Sequence, residues 1–120
     1  MNTTSKHTAE HYTWGAGCDG WHLLKSGDLS VIQEAMPPHT AEVAHSHRHS
    51  RQFFFVLEGE LVIELAESVA RLGVGEGLHI APGEIHRVVN SAETPAQFLV
   101  ISAPPSHGDR ILAQVKGTTP

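Results

Sequence analysis

The chain has 120 residues, a length that suffices for one domain of ordinary size and not for two. Its formal charge of -5 and its eight Lys and Arg residues, which form no basic run, argue against binding to nucleic acid or to an anionic membrane surface. A single cysteine, a polar N-terminus without a secretory signal, and apolar stretches far below the roughly 20 residues that cross a bilayer predict a cytoplasmic protein that spans no membrane.

In chain order, residues 1–9 are polar and aperiodic, and we expect them to form a flexible N-terminal arm. From Tyr12 onward, apolar stretches of strand length alternate with Gly, Pro and Asp turns at intervals of about 8 to 12 residues. The predicted strands include 21–24, 29–36, 41–47, 52–57, 60–66, 69–72, 78–81, 86–90 and 97–102. This pattern predicts an all-β domain over residues 10–110, a sandwich or barrel with little helix.

Residues 111–120 are predicted to form a C-terminal tail. The segment 110–116 is compatible with one helical turn or with a last edge strand, and the sequence does not distinguish the two. No internal repeat or linker indicates a second domain.

Histidine is the compositional anomaly, with ten residues in 120, and the histidines cluster at 45–49. In an extended strand His45 and His47 point to the same side with Cβ atoms about 7 Å apart, a span that two imidazoles can close onto one ion. Gln52 can approach this pair from a strand that returns antiparallel beside it after the turn at 48–51. His86 supplies a third imidazole, and three neutral nitrogens with one oxygen suit one divalent ion of Zn, Ni, Fe or Mn.

Two segments that contain these residues resemble the paired motifs of the cupin family. HSHRHSRQFFFVLEG (45–59) is similar to the first motif, His-x-His, three or four residues, Glu, six residues, Gly, except that Gln52 stands where Glu is usual. GEGLHIAPGEIHRVVN (75–90) is similar to the second motif, with Ala81 at the usual proline position and a proline following at 82. The resemblance covers roughly residues 29–102, and its flanks look like a group of uncharacterised bacterial cupins.

The resemblance implies a double-stranded β-helix, which is a jelly-roll barrel, and a metal held by His45, His47 and His86 with Gln52 in place of a carboxylate. A neutral amide leaves the site near +2, so the metal is expected to be a stronger Lewis acid and to bind less tightly. Similar ligand sets occur in small cupins that act on unsaturated uronates, and three-histidine sites occur in some cupin dioxygenases. The family also implies a homodimer.

Other residues are assigned to the surroundings of the metal. His107 follows the last predicted strand and can fold back over the barrel mouth as an acid or base, and Arg110 can bind a carboxylate there. Phe54 and Val56 share the Gln52 face by alternation and are predicted to wall the substrate pocket. His49 is assigned to the rim rather than to the ligand set.

Two functions fit this reading. The first is a metal-dependent enzyme acting on a small oxygen-rich molecule, of the dioxygenase or sugar and uronate isomerase or lyase type, with the metal as Lewis acid. The alternative is a non-catalytic cupin that binds or senses a small molecule such as a sugar.

Overall fold

The computed structural model describes residues 2–113, which contain twelve β-strands and no α-helix. The strands are β1 (Glu10–Trp14), β2 (Cys18–Lys25), β3 (Ser30–Met36), β4 (Thr40–Ala41), β5 (His45–His47), β6 (Arg51–Glu58), β7 (Leu61–Leu65), β8 (Val69–Leu72), β9 (Gly77–Ile80), β10 (His86–Asn90), β11 (Ala96–Ala103) and β12 (Arg110–Leu112). The predicted all-β class with little helix is confirmed. Within the described range there is no helix with the length and hydrophobicity that crossing a membrane requires.

The strands form two antiparallel sheets that face each other. The first sheet has the order β1-β2-β3-β11-β6-β9, and the second has the order β12-β5-β10-β7-β8 with β4 also paired to β10. Strands that follow each other in the chain repeatedly lie in opposite sheets, as β3 and β4 or β5 and β6 do. This crossing from sheet to sheet gives the double-stranded β-helix that was expected.

Alternation along the long strands builds the core between the sheets. On β6 the side chains of Gln52, Phe54 and Val56 are buried while those of their neighbours face outward. On β11 the alternation is complete, and the fully buried Phe98 lies directly opposite Val56. Most of the apolar core lies toward one end of the barrel, and the buried polar side chains of His45, His47, Gln52 and His86 lie toward the other.

One expected pairing is wrong. The strand that begins near Gln52 was expected to lie beside the His45 strand as a hairpin, but β5 pairs with β10 and β12, whereas β6 pairs with β11 and β9. The intervening residues carry the chain from one sheet to the other. Gln52 therefore approaches the histidines across the barrel interior and not from a neighbouring strand.

The predicted strand 41–47 is divided in the structure. It forms β4 and β5, separated by residues 42–44, and the backbone N–H of Glu42 donates to the carbonyl oxygen of Val88 at 3.0 Å. β4 pairs with the last two residues of β10 and β5 pairs with its first residue, so residues 42–44 run beside the middle of β10. At the other end of the chain, Arg110–Leu112 forms an edge strand on β5, which decides between the two alternatives left open for the start of that segment.

The predicted domain limits remain predictions, but the strands lie close to them. β1 begins at Glu10, directly after the predicted arm, and β12 extends to Leu112, two residues past the predicted limit at 110. Within the arm, residues 5–9 form a turn in which the Ala9 N–H donates to the Ser5 carbonyl oxygen at 2.8 Å. Residues 114–120 of the predicted tail lie outside the described residues.

Candidate metal centre

Three imidazoles meet at the polar end of the barrel. His45 and His47 belong to β5, and His86 is the first residue of β10, directly opposite His45 in the antiparallel register. One nitrogen from each of the three rings lies within 4.8 Å of the other two, and all three side chains are buried. The structure thus brings together the three predicted histidine ligands.

Two of the rings are fixed by hydrogen bonds to backbone carbonyl groups. His45 Nδ1 donates to the Val43 carbonyl oxygen at 2.8 Å, and His86 Nδ1 donates to the Glu84 carbonyl oxygen at 3.0 Å. Because a carbonyl oxygen only accepts, both rings carry their proton on Nδ1 and keep the Nε2 lone pair free for a metal.

The turn before His86 is tied to the histidine strand. Gly83 adopts a φ of 82°, in the left-handed region that glycine tolerates best, and its N–H donates to the His47 carbonyl oxygen at 2.7 Å. This bond holds the start of β10 against β5. The bond therefore helps to bring His86 next to His45 and His47, which are far from it in the sequence.

Gln52 presents its amide oxygen to the same cavity. Its Nε2 donates to Ser102 Oγ at 3.0 Å, across the β6–β11 pair in which the two residues are direct partners. The amide nitrogen is therefore hydrogen-bonded to the barrel wall, and Oε1 has no hydrogen-bond partner in the described part of the chain. Gln52 lines the same cavity as His45 and His47, and its role as an oxygen ligand stays a prediction.

The buried atoms without partners test whether the site fits a metal. In residues 2–113, five buried side-chain nitrogen or oxygen atoms lack a hydrogen-bond partner, and four of them are His47 Nδ1 and Nε2, His86 Nε2 and Gln52 Oε1. An unsatisfied buried polar atom costs about 1–3 kcal/mol of stability, so several such atoms rarely lie together unless an ion or ligand satisfies them. A divalent ion held by one nitrogen of each imidazole and by the amide oxygen would satisfy Gln52 Oε1, His86 Nε2 and one of the two His47 nitrogens. This donor set suits Zn, Ni, Fe or Mn.

Burial keeps the histidines in the form that binds metals. Desolvation lowers the pKa of His45 to about 4, and it also lowers the pKa values of His47 and His86. The neighbouring imidazoles act in the same direction on His45, since like charges disfavour protonation. The three rings are therefore neutral at pH 7, as metal ligation requires.

The cluster opens into a cavity of about 320 Å³. Of the predicted surrounding residues, Phe54, His107 and Arg110 line it, whereas Val56 does not. Val56 is fully buried in the apolar core, because it lies one alternation further from the open end of β6. The full lining comprises Tyr12, Trp14, Ile32, Glu34, Glu42, His45, His47, Gln52, Phe54, Val100, Ser106, His107, Gly108 and Arg110.

Asp109 fixes the segment that carries His107 and Arg110. Its carboxylate accepts the backbone N–H groups of His49 and Ser50, each at 2.8 Å, and these bonds lower the pKa of Asp109. The following strand β12 places Arg110 directly opposite His47. His49 itself is exposed and lies outside the cluster, in agreement with its assignment to the rim.

Sequence reasoning missed the acidic wall of the cavity, formed by Tyr12, Glu34 and Glu42. A signal for Glu34 was present, since it occupies the inward phase of β3 together with Ile32 and the buried Met36. A carboxylate at an inward position of an apolar strand is expensive to bury and therefore marks a site.

Comparisons with known proteins agree with this geometry. Residues 32–102 match the family model of the cupin domain. The tetracenomycin polyketide synthase protein TcmJ of Streptomyces glaucescens is 30% identical over 79 residues, which make up 66% of this chain and 52% of that protein. The chain thus spans about half the length of that relative.

Two solved structures share the fold. An uncharacterised conserved protein with a double-stranded β-helix domain from Klebsiella pneumoniae has a TM-score of 0.74 at 23% identity, over 86% of this chain and 90% of that chain. The polyketide cyclase RemF from Streptomyces resistomycificus has a TM-score of 0.83 at 16% identity, over 98% of this chain and 88% of that chain.

Proposed function

This chain belongs to the cupin domain family, and from that starting point we propose that it is a metal-dependent enzyme that promotes proton transfer next to a carbonyl group of a small, oxygen-rich molecule. The observation that carries the proposal is a set of buried imidazole nitrogens and the Gln52 oxygen, none of which has a hydrogen-bond partner in residues 2–113, beside an open cavity. When bound there, a divalent ion supplies a Lewis acid that polarises an oxygen atom, and four neutral ligands leave its charge undiminished.

The residues around the cluster suit a carbonyl compound with an anionic group. Arg110 provides a guanidinium at the cavity rim that can hold a carboxylate by two parallel hydrogen bonds. His107 lies in the same rim and offers an imidazole that can accept or donate a proton. Phe54, Trp14 and Val100 form apolar walls that reduce the access of water to the bound molecule.

The substrate class we favour is a polycarbonyl compound or a uronate. The name of TcmJ places that relative in polyketide synthesis, and a polyketide chain is rich in carbonyl groups with acidic neighbouring C–H bonds. A uronate offers a carboxylate for Arg110 and a carbonyl in its open form. Both substrate types call for the same step, removal of a proton from a carbon next to a carbonyl group.

The step can be measured without the natural substrate. Protein purified without an affinity tag is loaded separately with Zn and Mn and incubated in D2O with dihydroxyacetone, pyruvate and galacturonate. Loss of the α-proton signals in the NMR spectrum reports proton transfer. We expect metal-dependent exchange with at least one of these probes and none in the His45→Ala/His47→Ala double variant.

The matched control is His49→Ala, which removes an exposed histidine from the same run and leaves the cluster intact. It should exchange protons at the wild-type rate. Exchange that is no faster with wild type than with the double variant would refute the proposal. In that case, probe-dependent oxygen consumption by iron-loaded protein would indicate a dioxygenase, and saturable binding without turnover would indicate a binding module.

A further inference from the structure

Opposite the histidines, a phenol and a carboxyl group form a hydrogen-bonded pair in the cavity wall. Tyr12 Oη donates to Glu34 Oε2 at 2.9 Å, and both residues line the cavity that contains His45, His47 and Gln52. Tyr12 lies on β1 and Glu34 on β3, two strands that are separated by β2. The pair therefore reaches across an intervening strand.

Gly20 makes this reach possible. In the antiparallel register Tyr12 lies opposite Gly20, and Gly20 lies opposite Glu34, so the three residues form one row across the sheet. A Cβ atom at position 20 would overlap the ring carbons and the hydroxyl of Tyr12. The absence of a side chain on β2 lets the phenol lie over the strand and meet the carboxyl group.

Glu34 is half-buried, and no cationic partner in the described part of the chain accounts for this position. Among residues 2–113, its side chain makes no ion pair within 4.0 Å, and the phenol of Tyr12 is its one side-chain hydrogen-bond partner. Burial raises the pKa of Glu34 to about 7, although the hydrogen bond from Tyr12 opposes the shift. The carboxyl group is thus present in both protonation states near neutral pH.

The other titratable groups around Glu34 come from several elements. Cys18 lies on β2, Glu42 follows β4, and Arg110 faces the cavity from β12. Glu42 differs from Glu34 because its Oε1 accepts the Val88 N–H at 3.1 Å and lies 4.0 Å from His45 Nδ1. Glu42 therefore contacts both β10 and the histidine strand, whereas Glu34 keeps one carboxyl oxygen without a side-chain partner in the described range.

We propose that Glu34 is a catalytic acid–base residue of this site and that Tyr12 is its positioning residue, an inference that rests on the proposed function. The Glu34 carboxylate takes a proton from the carbon next to the carbonyl group of the bound molecule. The C–H bond breaks, an O–H bond forms on Glu34, and the released electron pair moves onto the carbonyl oxygen to give an enolate. The protonated Glu34 then returns the proton to a carbon or oxygen of the same molecule, so atoms and charges balance.

A purely structural role, in which the pair only anchors β1, makes different predictions. Glu34→Gln keeps the size of the side chain and an oxygen that can accept from Tyr12, but it cannot carry the proton. We expect α-proton exchange with the probe to fall by at least about 100-fold, the contribution typical of general acid–base catalysis. Metal content and β-rich circular dichroism should stay unchanged. Glu67→Gln, at an exposed position, is the matched control and should match wild type.

Two further variants test the positioning role. Tyr12→Phe removes the hydrogen bond that lowers the pKa of Glu34, so the limb of the pH–rate profile that reports Glu34 should move to higher pH. Gly20→Ala displaces the phenol and should shift the same limb in the same direction. An anchor for β1 would change stability in these variants and leave the pH profile in place.

A readout that needs no substrate follows the carboxyl group itself. In protein labelled with ¹³C at the Glu side-chain carboxyl groups, the resonance that disappears in Glu34→Gln should titrate with a midpoint near the pKa of about 7. Titration of that resonance in the ordinary range of Glu overturns the inference. Near wild-type exchange by Glu34→Gln overturns it while leaving the proposed function intact, whereas no exchange by wild type overturns both.

Discussion

Gln52 distinguishes this cluster from one that contains a carboxylate. Its oxygen faces the cavity because its nitrogen donates to Ser102 Oγ, and an amide brings no negative charge to a divalent ion. We expect Gln52→Glu to lengthen metal retention against EDTA several-fold and Gln52→Ala to shorten it. The measurement is the rate of metal loss to the chelator. Equal rates in all three proteins would show that residue 52 is not a ligand.

The buried histidines also make the metal-free protein sensitive to acid. The unfolded chain protonates His45 near pH 6.5, whereas the folded chain resists protonation down to about pH 4. Between these values the unfolded state binds more protons, so the free energy of unfolding should fall as the pH falls. Relative to His45→Asn, whose amide can replace Nδ1 toward Val43, the loss is at most about 3 kcal/mol.

This difference is measured by urea unfolding in the presence of a chelator. The comparison between wild type and His45→Asn cancels the contributions of Glu34 and Glu42, whose raised pKa values act in the opposite direction. Parallel stability curves for the two proteins between pH 4 and pH 6.5 would contradict the assigned pKa of His45.

Among the structural elements, the segment before β12 is joined to the barrel by the Asp109 carboxylate in addition to the backbone pairing of β12 with β5. Asp109 accepts the N–H groups of His49 and Ser50, and this contact places His107 and Arg110 at the cavity rim. We expect Asp109→Ala to accelerate hydrogen exchange at the Ser50 amide and to reduce α-proton exchange of the probe, with no change in metal content. Asp28→Ala, in an exposed turn, should leave all three quantities as in wild type. Unchanged exchange at the Ser50 amide in Asp109→Ala would show that the carboxylate does not hold the segment.

The strands themselves were predictable, but their partners were not. Alternation in Gln52, Phe54 and Val56 correctly indicated a shared buried face, because the period of two is a local property. The same pattern did not reveal that β5 and β6 belong to opposite sheets. A short connection between two strands is compatible with a hairpin or with a crossing, and the choice depends on contacts with β10 and β11 far away in the sequence.

Across the whole molecule, the sequence likewise predicted site residues that local spacing defines and missed those that depend on contacts between distant strands. His45, His47 and His86 were identifiable because two motifs with fixed spacing contain them. The pairing of Tyr12 with Glu34 depends on the register of three strands and on the missing side chain at Gly20. Val56 was misplaced as a pocket residue because alternation gives the face of a side chain and not its depth along the barrel.

The homodimer remains a prediction, and we expect a second copy of the chain to dock on the outer face of the first sheet. Phe53 and Leu57 on β6 are 39% and 40% exposed, and the rings of Phe53 and Phe55 stack at 6.4 Å. Continuous aromatic surface of this kind is typical of protein interfaces. We expect wild type to be a dimer by light scattering and Phe53→Lys to be a monomer.

The control for this prediction lies on the other sheet. Val69 on β8 is 57% exposed, and Val69→Lys adds the same charge away from the aromatic face. This variant should remain a dimer. A monomeric wild type, or a Phe53→Lys variant that stays dimeric, would show that the outer face of the first sheet is not a dimer interface.

Every step proposed for this chain depends on a metal ion at the histidine cluster, so metal content is the decisive measurement. The measurement is elemental analysis of protein purified without an affinity tag, for wild type and for His45→Ala/His47→Ala. We predict one divalent transition metal ion per wild-type chain and none above background in the double variant, with the same β-rich circular dichroism in both. Stoichiometric metal retained by the folded double variant would show that His45 and His47 do not hold the ion.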